Sequence, residues 1–413
     1  MSDSEASVPW RSPQLYLLLA TAAVAPLDVN AIGPALPAIA DAFGVSSARS
    51  GLVITAFAVP GALLAPVVGM YADRLGRRRV IVTCLLLYGL AGVTVTLATG
   101  LWQVLVLRAV QGSVGGSILA SLSLALVGDY YDGPQRNAVM GVVSAGISFS
   151  AAAAPVLGGA LATLSWDAPF YLYGSSVVVA ALAYRYLDGS STGSESGAGA
   201  PGDHAGAYAY LRAAAGSLPA RDAVAVYGAN FLGFALFYGG VLTAVPFLLE
   251  GYGFDTGQTG TLITSAMMVS AVVAVFNGRF ARHVSNLGLI AAGVVAYALG
   301  LVGVWAAGSA VGTLVALGVF GAGHGLVLPS VASALSALAG PEFRGGVMSL
   351  RTSVIFGAQA VAPPLFTLPV TELGVGYDLP LAVAGVGAAL AAAGLFAAAG
   401  GRAGVRVAAA GER

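Results

Sequence analysis

Long apolar runs alternate with short polar breaks along the whole chain, and the runs have a common scale. Twelve of them, at about residues 14–36, 50–70, 78–98, 102–127, 136–163, 168–186, 222–249, 258–278, 286–307, 311–338, 344–368 and 378–400, approach or exceed the length that crosses a bilayer as a helix. They are called spans one to twelve below. Glycine and proline occur inside many of them, as transmembrane helices tolerate. One break stands out. Residues 69–81 read GMYADRLGRRRVI, with one carboxylate, four arginines and two glycines in thirteen residues. A lipid-facing connection has no such composition, so the pattern predicts a short, water-facing loop.

Composition supports the same class. Hydrophobic residues make up 58% and charged residues 9%, against about 25% charged in an ordinary soluble domain. Mean hydropathy is +0.87. The net charge is zero, which gives no electrostatic footprint for nucleic acid. All eighteen basic residues are arginine, a pattern of genomic base bias rather than mechanism. Cys84 is the single cysteine, so neither an intrachain disulfide nor a cysteine metal cluster is available. His204, His283 and His324 are scattered without ligand spacing, so no metal site is expected. Residues 1–13 carry Asp3, Glu5 and Arg11 ahead of the first run, which favours a retained first helix over a cleaved signal.

The arginines orient the spans. With both termini inside, the inner segments hold Arg11, Arg74, Arg77–Arg79, Arg136, Arg185, Arg212, Arg221, Arg279, Arg282, Arg344, Arg402, Arg406 and Arg413, and the outer loops hold only Arg49. This asymmetry fits twelve spans with both ends in the cytoplasm. Residues 187–221 interrupt the apolar pattern with a Gly/Ser-rich stretch that reads as a cytoplasmic, flexible linker, and AYLRAAAGSLPARD at 209–222 reads as a candidate short interfacial helix. The expected division is therefore a six-helix bundle over 1–186, the linker, and a second bundle with a short tail over 222–413.

The halves echo each other. Span five begins RNAVM at Arg136 and reaches Ala154-Pro155; span eleven begins RGGVM at Arg344 and reaches Ala362-Pro363 at the same offset. GRFAR at 278–282 echoes GMYAD at 69–73. The 69–81 segment resembles the loop motif of the major facilitator superfamily, G-x-L-a-D-r-x-G-r-k-x-v-l, with Gly69, Asp73, Arg74, Gly76, Arg77 and Arg78 in register and Tyr71 departing from the usual leucine. LRAVQGSVGGS at 107–117 resembles the family's R-x-x-q-G-x-g, with Arg108, Gln111 and Gly112 in place. Span five resembles the antiporter motif at Gly141, Pro155, Gly158 and Gly159, with Ser150 and Ala154 where that motif has glycine. LDVNAIGPALPAI at 27–39 is similar to the first helix of drug–proton antiporters. The resemblance implies an all-α membrane protein of two pseudo-symmetric six-helix bundles.

Candidate site residues follow. The resemblance implies a charge cluster of Asp73 and Arg77 with Asp129 and Arg136 that shuts the cytoplasmic side. Arg108 is expensive inside an apolar helix and needs a partner or a wet cavity, unless it snorkels outward from a position near the outer end. Asp28, followed by Asn30, marks a pathway by the same argument, unless it lies solvated at the interface. With Gln111 and His324 these form the candidates for proton coupling and substrate contact. His324 is equally well read as a hydrogen-bonded structural histidine, and Arg351 as a snorkelling residue. Tyr227, Phe231, Phe234 and Tyr238 recur at helical spacing in span seven, either lining a pocket for lipophilic cargo or packing.

No phosphate-cradling GxxxxGK[ST] occurs, and no nucleophile motif stands out, so neither an ATP-driven pump nor an enzyme is expected. No cofactor is implied. The resulting expectation is a plasma-membrane secondary transporter, monomeric, exporting small organic or amphipathic compounds by antiport of an ion, proton before sodium. The alternatives are an uptake symporter for a sugar or organic acid, and a transporter-like receptor that binds without translocating.

Overall fold

The structure is a computed structural model that describes residues 8–187, 204–340 and 343–411. The side chains of residues 65–74, 117, 204–209 and 397–411 lie outside the described set. Among the described residues every regular element is helical. Ten helices are long and apolar enough to cross a membrane, and an eleventh span results if one bent pair is counted as a single crossing. The remaining expected crossing, 168–186, opens as a 3₁₀ helix at Ala168–Tyr173 and becomes α-helical only over Gly174–Tyr186.

Three local departures from the expected pattern have physical causes. Span one is not a single helix. It breaks into Pro13–Val24, Leu27–Asn30, a 3₁₀ turn at Gly33–Ala35 and Leu36–Phe43, with a bend of 44° between its halves. Pro26, Pro34 and Pro37 each remove a backbone donor, which permits the interruption. The 69–81 segment is not a loop in the main. Helix Ser47–Leu75 runs through most of it, Gly76 alone breaks the path at φ 88°, and helix Arg77–Thr94 follows at once. That backbone conformation favours glycine. Span four also breaks, at Gly115-Gly116, where Gly116 has φ 55°.

A short helix is expected after the Gly/Ser-rich stretch, and the structure has one there. It covers His204–Gly216 and packs on the start of Arg344–Leu373: the Gly346 amide donates to the Tyr210 hydroxyl at 3.3 Å, and the Tyr210 and Phe343 rings lie 6.1 Å apart. The chain resolves into two compact units, residues 1–197 with 249–264, and residues 198–248 with 265–413. Within the second unit, span seven carries a π-helical segment at Leu236–Ala244, in which the Thr243 hydroxyl donates to the carbonyl of Tyr238 five residues back at 2.7 Å.

Candidate functional site

Arg108 does not snorkel. It is 0% exposed and is held from four directions. Its Nε donates to the Val53 carbonyl at 3.3 Å, and its Nη1 to Gln111 Oε1 at 3.0 Å and to the Tyr173 hydroxyl at 3.2 Å. Its Nη2 donates to the backbone carbonyl of Asp28 at 3.0 Å, and the guanidinium stacks 4.6 Å from the Phe57 ring centre. The Tyr173 hydroxyl also donates to that Asp28 carbonyl, at 2.6 Å. Span one supplies the acceptor because it is broken here: a continuous helix would have used that carbonyl internally.

Asp28 and Arg108 are therefore brought together, but not as a carboxylate–guanidinium pair. The Asp28 carboxylate is turned to its own chain, where Oδ1 accepts from the Val29 amide at 2.6 Å and from Asn30 Nδ2 at 3.4 Å. Asn30 is also tied to the Pro26 carbonyl at 2.8 Å. The other carboxylate oxygen faces the span-four break, 3.1 Å from where a Cβ on Gly116 would sit. Helix Ser117–Tyr130 begins at that break, and the N-terminal end of a helix favours a nearby negative charge. Gln111 completes the cluster by donating to the Tyr88 carbonyl at 3.1 Å. Tyr88 and Tyr173, whose rings meet edge to face at 5.2 Å, were missed by sequence reasoning. They sit in spans three and six, and aromatic residues in apolar runs carry no signal of a polar contact.

Of the expected gate cluster, Arg77 and Asp129 form an ion pair at 2.6 Å, and the same Nη1 donates to the Ala125 carbonyl at 3.1 Å. Asp129 Oδ2 is buried without a partner. Arg136 lies over Gly128, its Nη2 3.1 Å from a Cβ placed there, while the ion pair of Asp129 is with Arg77. Arg78 is directed elsewhere, donating to the Tyr184 carbonyl and stacking 5.5 Å from that ring. The side chains of Gly69, Asp73 and Arg74 fall outside the described residues.

The antiporter-like motif divides. Gly158 and Gly159 are sites of close approach, where a Cβ would come within 1.8 Å of the Ala31 carbonyl and 2.3 Å of the Thr256 carbonyl respectively. The Thr256 hydroxyl donates to the Gly159 carbonyl at 3.0 Å, and Thr264 Oγ1 accepts from the Val156 amide at 3.0 Å. Ser150, which replaces a motif glycine, donates its hydroxyl to the Ala23 carbonyl of broken span one. Gly141 meets nothing within 4 Å.

In the second unit the four span-seven aromatics do not form one lining. Tyr227 donates to the Val347 carbonyl at 3.0 Å, and Phe231 is 38% exposed. Phe234 stacks on Tyr238 at 5.8 Å and lies 5.7 Å from the His324 ring. His324 is buried, its Nδ1 2.9 Å from the Tyr297 hydroxyl and its ring flanked by Phe237 at 5.1 Å and Phe320 at 6.3 Å.

The sequence model of the Major Facilitator Superfamily matches residues 18–363. The chain belongs to this superfamily. Its members transport small molecules across membranes and are not enzymes, so the protein is a multi-pass membrane transporter. The chain is 24% identical over 375 residues to the multidrug transporter protein MdtP of Bacillus subtilis, covering 78% of this chain and 68% of MdtP. It is 26% identical over 371 residues to the 3-(3-hydroxy-phenyl)propionate transporter of Escherichia coli, covering 82% and 87% respectively. A solved bacterial homologue of the human lysosomal transporter Spinster, in an inward-facing and unoccupied conformation, matches with a TM-score of 0.77 at 19% identity, over 95% of this chain and 97% of that one. These likenesses support the superfamily fold.

Proposed function

We propose that this superfamily member is a proton-coupled antiporter that exports small organic or amphipathic compounds by alternating access. Twelve spans, both termini in the cytoplasm, a plasma-membrane location and a monomeric state complete the reading. The observation that carries it is the buried Asp28–Arg108–Gln111–Tyr173 constellation. A carboxylate held in a broken apolar span, beside an arginine that takes a backbone carbonyl rather than the carboxylate, is free to exchange a proton without first dissolving an ion pair. Proton uptake at Asp28 changes the charge of the cluster, and the interrupted spans one and four respond to that change. The Arg77–Asp129 pair, with Asp73 and Arg136, closes the cytoplasmic side in one state and opens in the other. The close packing of span five at Gly158 and Gly159 supports the antiporter resemblance.

A second reading, proton-coupled uptake of an organic acid, is favoured by the similarity to the hydroxyphenylpropionate transporter over 87% of that protein's length. A receptor that binds without moving its ligand is separated from both by flux. The test is purified protein in proteoliposomes with an imposed pH gradient. Asp28→Asn abolishes the dependence of flux on the gradient while leaving the protein folded. Unchanged proton-coupled flux in that variant assigns coupling to another group.

A further inference from the structure

We propose that the second unit contains an anion-binding site built from Arg351 and Asn230 beside Phe234, and that it receives the carboxylate of an aromatic or otherwise apolar organic acid. The inference rests on the transporter reading and names its cargo class; it does not depend on the direction of transport.

The packing of spans seven and eleven places these residues together. The spans run parallel, pinned at two levels. Near their starts Tyr227 bonds the Val347 carbonyl at 3.0 Å; higher up, Ala235 packs with Ala358 and Ala362 in one buried cluster that Phe234 joins. Val347, Arg351, Ala358 and Ala362 share one helical face by their spacing, so Arg351 faces span seven between the two pins. Asn230 occupies the same level on span seven, and Gly233 and Phe234 continue its face. That face meets span nine and span ten: a Cβ on Gly233 would sit 2.9 Å from the Tyr297 hydroxyl, and the Phe234 ring lies 5.7 Å from His324.

The hydrogen-bond accounting is the second observation. Asn230 is 1% exposed, yet neither its Oδ1 nor its Nδ2 has a partner. Nε of Arg351 and Nε2 of Gln359 are buried and unpartnered as well. No ion pair of Arg351 is found among the described residues. Buried polar groups in native proteins are bonded with few exceptions, and an unbonded one is costly. Asn230 and Arg351 supply three such atoms between the two pins, which points to a group supplied from outside the protein. Two of the three are donors and only Asn230 Oδ1 accepts, so the seam suits an acceptor-rich, negatively charged partner. The arginine fork fits a carboxylate in two-pronged fashion, as no amine or neutral amide can match. The ring of Phe234 and the π-helical turn with Phe237 and Tyr238 offer the apolar body a surface between them. In the first unit, by contrast, the cationic Arg108 and the acidic Asp28 already share one cluster, so cargo charge is not read there.

The test is equilibrium binding of radiolabelled phenylacetate to the purified full-length protein in detergent, with benzoate and 3-phenylpropionate as further carboxylates. Each acid competes against its own amide, and phenylacetate also against 2-phenylethylamine. At least one carboxylate is expected to bind ten-fold or more tightly than its amide, and the amine not at all. Arg351→Gln removes that preference, Arg351→Lys restores part of it, and Asn230→Ala weakens the carboxylate several-fold. Each variant is checked for a monodisperse profile and an unfolding midpoint near wild type, and Arg351→Lys carries the test if Arg351→Gln does not fold. Absence of binding by all three acids, or carboxylate affinity within two-fold of wild type in Arg351→Gln, overturns the proposal. Pump activity toward the permanent cation ethidium on a pH gradient, with none of the acids bound, would leave the transporter reading standing and remove this one. Carboxylate binding without any flux would do the reverse.

Discussion

The span-five glycines give a prediction whose size follows from distances. A Cβ at Gly158 would lie 1.8 Å from the Ala31 carbonyl oxygen, and one at Gly159 2.3 Å from the Thr256 carbonyl and 3.0 Å from Gly260 Cα, whereas one at Gly141 meets nothing within 4 Å. The obstacles are backbone atoms, which no side-chain rotation can move. Gly158→Ala therefore forces span five away from span one by more than about 1 Å, and overpacking of this kind destabilises by about 1–3 kcal/mol. Gly158→Ala belongs at the upper end, near ~3 kcal/mol, and Gly159→Ala near ~2 kcal/mol. Gly141→Ala has no clash to offset the gain of up to ~1 kcal/mol from replacing a helical glycine. For a folding unit of this size the unfolding midpoint moves by about 2–4 °C per kcal/mol. Thermal unfolding of the three variants in one mild detergent should rank them Gly141→Ala at or above wild type, then Gly159→Ala, then Gly158→Ala lowest, roughly 6–12 °C below wild type. Equal losses at Gly141 and Gly158, or a wild-type midpoint for Gly158→Ala, would refute the close approach.

Arg108→Lys keeps the charge but replaces a planar fork with a point donor. With intramembrane hydrogen bonds averaging about 0.6 kcal/mol, the loss of two or three of the four bonds destabilises by about 1–2 kcal/mol, yet flux falls ten-fold or more; wild-type flux would show the fork to be dispensable. Asp129→Asn breaks a partly exposed pair, so unfolding shifts by no more than about 1 kcal/mol while transport drops sharply, measured as flux per folded molecule. Asp73→Asn is expected to remove most transport in a folded protein, and wild-type flux there would detach the motif from gating. In a Cys84→Ala background a cysteine at His283 should label only from the cytoplasm and one at Thr99 only from outside; the opposite pattern in intact cells would invert the topology.

The class of the fold was legible because long apolar runs and an arginine asymmetry are properties of composition and order alone. The 69–81 pattern located the helix break at Gly76 but overstated it as a loop, because arginines at the end of a helix look the same in sequence as arginines in a turn. Span one read as a single helix because transmembrane runs commonly contain proline; that three prolines interrupt it depends on Arg108 and Tyr173 taking the freed Asp28 carbonyl. Sequence singled out Asp28 in span one and Arg108 and Gln111 in span four as candidates for one function. It did not foresee that the arginine would hold the backbone instead of the carboxylate, since that choice is set by side-chain direction in the folded unit. Tyr88 and Tyr173 were hidden inside apolar runs. Asn230 and Gln359 were passed over because a single amide in a long span carries no motif, and its significance appears only when its hydrogen bonds are accounted for. The stripe of Tyr227, Phe231, Phe234 and Tyr238 is a true period, but its members meet different surroundings that spacing does not reveal: Tyr227 bonds the Val347 carbonyl, Phe231 is exposed, and Phe234 and Tyr238 stack.

The central claim is that movement of cargo is exchanged for movement of protons in the opposite direction. It is tested by loading wild-type proteoliposomes with phenylacetate, or with ethidium if no acid binds, trapping the pH-sensitive dye pyranine inside, clamping the voltage with potassium and valinomycin, and diluting the vesicles into cargo-free buffer at the same pH. As cargo leaves down its own gradient, antiport carries protons inward, so the lumen should acidify relative to protein-free vesicles, which report passive leakage, at a rate that rises with protein density and vanishes in Asp28→Asn. An alkaline shift relative to those vesicles, the sign of symport, or protein-dependent cargo efflux with no pH change would contradict the account.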